Sequence, residues 1–124
     1  MTQEDKELLL KDLCSRLPYG VMCRMSGGGF ETVEDKLTAF GLFQFVEEGL
    51  ECVPYLRPMS SMTDEEDLEF IGIGLLVVNY GTNGNAKHKC KLSIPEIDWL
   101  NARHFDYRGL IKQGLALEAP EGMY

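Results

Sequence analysis

The run from Ser93 to Ala119, SIPEIDWLNARHFDYRGLIKQGLALEA, holds a helix start, two short helical patterns, a helix stop and the only tryptophan of the chain. Ser93 is placed to cap a first helix, with Glu96 three residues on to complete a capping box and Pro95 tolerated in the first turn, where backbone N–H groups lack helical partners. Ile97 and Leu100 then share a face. Asp106 is placed to cap a second short helix through Tyr107, Leu110 and Ile111, and Gly114 to end it in the left-handed conformation. Trp99, Phe105 and Tyr107 are the large apolar anchors, and their rings are expected to cover a sheet formed by the rest of the chain.

Elsewhere the pattern alternates between helix and strand signals. Thr2 with Asp5 marks a helix start, and Leu10, Leu13, Cys14 and Leu17 recur as one apolar stripe that Pro18 stops. Val21 to Met25 reads as a strand, Ser26 to Gly29 as a connection and Phe30 to Val33 as the return. Leu37 to Phe45 and Leu50 to Val53 read as further strands around the turn signal Glu47, Glu48, Gly49, with Phe43 and Phe45 on one face. The segment from Pro54 to Met62 is proline-punctuated and extended, and leads to Thr63, which with Glu66 forms a second capping box. The β-branched, glycine-containing run FIGIGLLVVNY suggests that this helix yields to a buried strand near Gly72 or Gly74. Gly81 to Asn85 reads as a turn, and Ala86 to Leu92 as an edge strand guarded by Lys87, Lys89 and Lys91. The expected fold is α+β over a single domain, residues 1–124: an N-terminal helix, a small antiparallel β-meander or partial barrel, and a C-terminal pair of short helices.

Charge and cysteine use narrow the function classes. A net charge of −8 disfavours a nucleic acid or an anionic lipid surface as partner. No apolar run reaches the roughly 20 residues that span a bilayer. The acidic, polar N-terminal segment is unlike a secretory leader, so a cytoplasmic setting and no membrane are expected. The four cysteines, Cys14, Cys23, Cys52 and Cys90, are scattered and read as reduced thiols. His88 and Cys90 form the one close ligand pair, which is too few for zinc, so no metal and no other cofactor is expected. The acidic start Asp64, Glu65, Glu66, Asp67 suits the positive end of a helix dipole and lacks the alternation of a calcium loop. Gly27, Gly28 and Gly29 lack the Gly-Lys-Ser/Thr of a phosphate loop and read as a hairpin tip.

One tight polar constellation remains, His104, Asp106 and Arg108 in HFDYR. A histidine beside a carboxylate can act as a general base, with the arginine holding an anion. The structural reading has Asp106 as a cap, Arg108 paired or solvated, and His104 closing the preceding helix, and it is favoured because a catalytic set is recognised by mutual geometry, which spacing alone does not supply. Ser60 and Ser61 have no histidine near in sequence to activate them. Arg57, between Pro54 and Pro58, has a fork suited to a carboxylate or phosphate ligand, but the reading taken is that it clamps Glu118 or Glu121. Arg103, Arg108, Lys112 and Gln113 fit a helix-turn-helix only loosely, since Gly109 and Gly114 interrupt the supposed recognition helix.

In the blocks PYLRPMSSMTDEE and IDWLNARHFDYRGLIKQGLALEAPEGMY, about a third of the chain, the sequence resembles a group of small uncharacterised proteins encoded in gut-bacterial genomes and their prophages. The resemblance implies a bacterial or prophage setting and no catalytic residue. Taken together, the residues point to a non-enzymatic domain whose partner is another protein. The alternative is a small ligand-binding protein or enzyme using His104, Asp106 and Arg108.

Overall fold

The computed structural model describes residues 1–81 and 92–124. Helix α1 spans Gln3–Arg16, and Thr2 caps it by accepting a hydrogen bond from the Asp5 N–H at 3.0 Å. Its buried face is Leu9, Asp12, Leu13 and Arg16, one position round from the expected stripe, so Cys14 is exposed. The rotation follows from polar burial: Asp12 and Arg16 are both fully buried and paired at 2.8 Å, which turns their side of the helix inward.

Strands β1 (Met22–Gly27) and β2 (Phe30–Lys36) form the expected antiparallel hairpin. The next segment departs from expectation. Leu37 to Phe45 is not a strand, because Thr38 accepts from the Gly41 N–H at 3.1 Å and starts helix α2, Ala39–Glu47. On a helical period Phe43 and Phe45 diverge: Phe45 is buried in the core, while Phe43 is exposed and stacks on Phe40 with centroids 6.4 Å apart. Strand β3 (Glu51–Leu56) then pairs antiparallel with the far side of β1, and β4 (Leu117–Glu118) pairs parallel with β3. The order is therefore β2-β1-β3-β4, a mixed sheet rather than a meander. Pro54 is accommodated inside β3, where the β4 ladder begins only at Tyr55, past the residue with no N–H to give.

Helix α3, Asp64–Gly81, runs on through Gly72 and Gly74 where a change to strand is expected. Tertiary packing overrides the local preference, since Phe70 and Ile73 pack against a buried cluster of Trp99, Leu100 and Phe105. The His88–Cys90 pair, the expected lysine-bearing strand apart from Leu92, and the expected turn apart from Gly81, which ends α3, lie outside the described residues. Helix α4, Ile94–Ala102, carries the capping box foreseen at Ser93 and Glu96, and the Thr63–Glu66 box starts α3 in the same way. After Asp106 the chain winds as turns, because Gly109 already takes a left-handed φ of 71° and Gly114 one of 77°. The helices of the C-terminal half that pack together are α3 and α4.

The architecture is α+β with two adjoining cores. The larger lies between α1, α2 and the sheet, around Leu9, Leu13, Cys23, Phe45, Cys52 and Leu56, and the tail seals it with Leu110, Leu115 and Ala116. The smaller holds Trp99, stacked on Phe105 at 5.8 Å and against Phe70 at 5.4 Å. Of the aromatic anchors, Trp99 thus packs on α3, Phe105 stacks on Trp99 beneath Arg57, and Tyr107 lies against Arg16 and Arg108. Each such ring, once buried, contributes roughly 1.5–3 kcal/mol.

Candidate functional site

The HFDYR stretch sits where the two cores meet; Asp106 and Arg108 are held by specific polar partners, while His104 Nδ1 is buried without a hydrogen-bond partner among the described residues. Asp106 is buried, and its carboxylate accepts from the Leu110 and Ile111 N–H groups at 2.8 and 3.0 Å. The Arg108 guanidinium donates to Asp12 at 2.7 Å and to the Tyr107 hydroxyl at 2.8 Å, and lies over the Tyr107 ring. Arg16 donates to the same Asp12 and, at 2.6 Å, to the Phe105 carbonyl. His104 is in the left-handed region with φ 63°, buried, and stacked on Tyr124 at 3.7 Å. Burial first, then the charges of Arg16 and Arg57, lower its pKa to about 4. No hydrogen bond joins His104 to Asp106 among the described residues. The three side chains share a loop but do not converge on one point.

Arg57 is bound elsewhere than expected. Its guanidinium forms a two-pronged pair with Glu66, at 2.7 and 2.8 Å, and sits over the Phe105 ring at 4.2 Å. That contact, ahead of the other influences on the group, pulls the Glu66 carboxyl down to about 2. Glu118 and Glu121 line the cleft beside Arg57 without taking it up. The backbone of Arg57 bonds the same loop from both sides: its N–H donates to the His104 carbonyl at 2.7 Å, and its carbonyl accepts from the Asp106 N–H at 2.8 Å. Ser61 donates to the Pro58 carbonyl at 2.7 Å and so closes a turn. The supposed recognition helix of a helix-turn-helix is absent from the segment around Arg108 and Lys112, which is built of turns.

The surface that is not consumed in this way lies at the opposite edge of the sheet. Phe40 is 65% exposed and Phe43 51%, and Val46 follows on the same helix; Val33 of β2 is also exposed. Gln44, next to Phe43, lines a shallow cleft of about 210 Å³ with Met25, Val33, Leu50, Ser26 and Glu31. β2 is the last strand of the sheet, and its outer edge has no strand partner among the described residues. The Leu37 N–H turns inward to the Val21 carbonyl at 2.8 Å, so by alternation the N–H and C=O of Glu34 face outward. Sequence reasoning misses this surface because it places the phenylalanines in a buried strand. The available signal is Thr38 ahead of Phe40 and Phe43, a capping residue followed by apolar residues three apart.

A second apolar stripe, Leu68, Ile71 and Leu75, is exposed on α3. Among the described residues no helix is long and apolar enough to cross a membrane. Compared with protein-family models, with curated proteins and with solved structures, the chain matches none.

Proposed function

We propose that this protein is a non-enzymatic interaction domain that docks on another protein through α2 and the open edge of β2. The observation that supports it most is the stacked pair Phe40 and Phe43, both exposed on α2. Single exposed apolar residues need no explanation, but two stacked rings on a helix whose Gln44 lines a cleft with Val33 of β2, a strand with no outer partner among the described residues, form the kind of patch that proteins cover with partners. A bacterial or prophage setting belongs to the same proposal and rests on the resemblance of the two sequence blocks, and a cytoplasmic location on the acidic N-terminal segment and the lack of a membrane-spanning run in the sequence. The enzyme reading gains little support, since His104, Asp106 and Arg108 each serve packing or capping contacts.

The test compares capture from a lysate of the source organism by the native chain and by a Phe40→Ser, Phe43→Ser variant. Surface changes of this kind alter stability by roughly 0.5 kcal/mol or less, so circular dichroism and Tm should match. The expected result is a stoichiometric protein retained at physiological salt by the native chain and lost by the variant. Equal capture by both proteins rules this surface out.

A further inference from the structure

The chemistry of the same surface specifies its occupant. We propose that β2 receives an extended segment of the partner, added to the sheet as a further strand, in which an apolar residue is flanked two positions away on each side by Lys or Arg. The inference rests on the interaction reading above and adds the binding mode and the partner's chemistry.

Three observations carry it. First, the outward N–H and C=O of Glu34 offer an added strand a hydrogen-bonding step that a docked helix, with its backbone groups satisfied internally, does not use. Asp35 already occupies the neighbouring Lys36 N–H at 2.7 Å, which limits the step to the part of β2 beside the cleft. Second, the cleft between Val33, Met25 and Leu50 is small, about 210 Å³, and suits one aliphatic side chain. Third, the face of β2 that carries Val33 is acidic. Glu31 and Asp35 lie two positions to either side of Val33 on the strand, both exposed, and Glu31 also lines the cleft. An added strand with an apolar residue opposite Val33 therefore sets its residues two positions away opposite carboxylates. Arg24, the nearest arginine in the hairpin, alternates to the face opposite Met25 and is engaged with Tyr55 at 3.0 Å. Carboxylates so placed favour a basic partner and disfavour an acidic or phosphate-bearing one.

A second copy of this chain fits poorly. A two-fold pairing of β2 centred on Val33 sets Glu31 opposite Asp35 and Thr32 opposite Glu34, and like charges directly opposite destabilise a strand pair.

The experiment is a nuclear magnetic resonance titration of the full chain with a short capped peptide in which threonine alternates with Lys, Val and Lys. Expected are amide shifts confined to β2, the C-terminal half of α2 and Leu50–Glu51, with affinity falling roughly tenfold from low to physiological salt. Glu31→Lys with Asp35→Lys should abolish the shifts. So should Glu34→Pro, which removes an outward N–H and leaves the β1 ladder intact; the charge reversal keeps the test decisive where the proline variant fails to fold. Equal binding of a peptide with Glu in place of Lys, shifts on Leu68, Ile71 and Leu75 instead, self-association through β2, or no shift at about 2 mM peptide, the weak end of specific binding, would each overturn the proposal. If the peptide fails while Phe40 and Phe43 still govern capture of a partner, strand addition falls and the interaction reading stands; if both fail, both fall.

Discussion

His104 shows how far a single residue can depart from what its neighbours in sequence suggest. Beside Asp106 it reads as a base, yet the chain places it in the left-handed region, where histidine is one of the few residues other than glycine found with any frequency. There its ring stacks on Tyr124 and its carbonyl accepts from Arg57. Tyr124 is itself tied down, its hydroxyl donating to the Tyr55 carbonyl at 2.7 Å and accepting from the Met22 N–H at 2.9 Å, and burial pushes its pKa up to about 12. The folded His104 titrates near 4 against an ordinary value of 6.5, so the unfolded chain takes up the proton first as pH falls. The stabilising contribution is therefore fully present above about 6.5 and is lost between there and 4, a decline on the order of 2–3 kcal/mol. Glu66 adds its own loss only below its ordinary value of 4.5, since its folded pKa is lowered. Urea denaturation across this range should show the upper decline in the native chain and a flatter curve for His104→Asn, which keeps the left-handed backbone and removes the titration. An unchanged slope in that variant would assign the acid sensitivity to another group.

At the scale of elements, helix starts are legible and helix extents are not. Thr2, Thr63 and Ser93 cap the helices their residue types announce, because a cap is a local bond between a side chain and an N–H two or three residues away. The fate of Leu37–Phe45 and of the run after Leu68 depends instead on what they pack against, which no local pattern contains. In α2 the aromatic spacing suits either period, and burial of Phe45 beside the sheet selects the helix. In α3 two glycines and several β-branched residues cost on the order of a few kcal/mol of helix preference, which packing of Phe70 and Ile73 on Trp99 offsets. The interaction surface shares the fate of α2: once Phe40 and Phe43 are misread as strand residues, nothing marks them as exposed. Gly72 offers a direct check. A Cβ there meets no atom within 4 Å and the backbone is not in the left-handed region. Gly72→Ala should stabilise the protein by about 0.5–1 kcal/mol, as removal of glycine from a helix interior does. A neutral or destabilising result in urea denaturation would contradict a continuous helix at that position.

At the scale of the molecule, the chain separates the residues that hold it together from those it presents. Asp12 is the hub of the first set. Its two oxygens are taken by Arg16 at 2.8 Å and Arg108 at 2.7 Å, and Arg16 reaches on to the Phe105 carbonyl. The loop so held also bonds Arg57 at the end of the sheet, so α1, β3 and the C-terminal turns meet at one charged knot between the two cores. Removing the carboxylate leaves Arg16, fully buried, without its counter-ion beside a second guanidinium. Breaking one side of a buried pair costs about 3–5 kcal/mol, a large part of the roughly 5–15 kcal/mol that stabilises an ordinary domain. Asp12→Ala should therefore lower Tm steeply. Arg108→Ala should cost less, since that side chain is 18% exposed and Asp12 keeps Arg16. The double variant should be less destabilised than the sum of the two, because the two losses share one interaction. Strict additivity in denaturant would mean that Asp12 and Arg108 act independently, and the knot would then reduce to the Asp12–Arg16 pair within α1. Folded Arg108→Ala protein should also retain whatever Phe40 and Phe43 bind, because the knot and the β2 edge lie on opposite sides of the sheet order; loss of that binding in a folded variant would join the two regions into one functional unit.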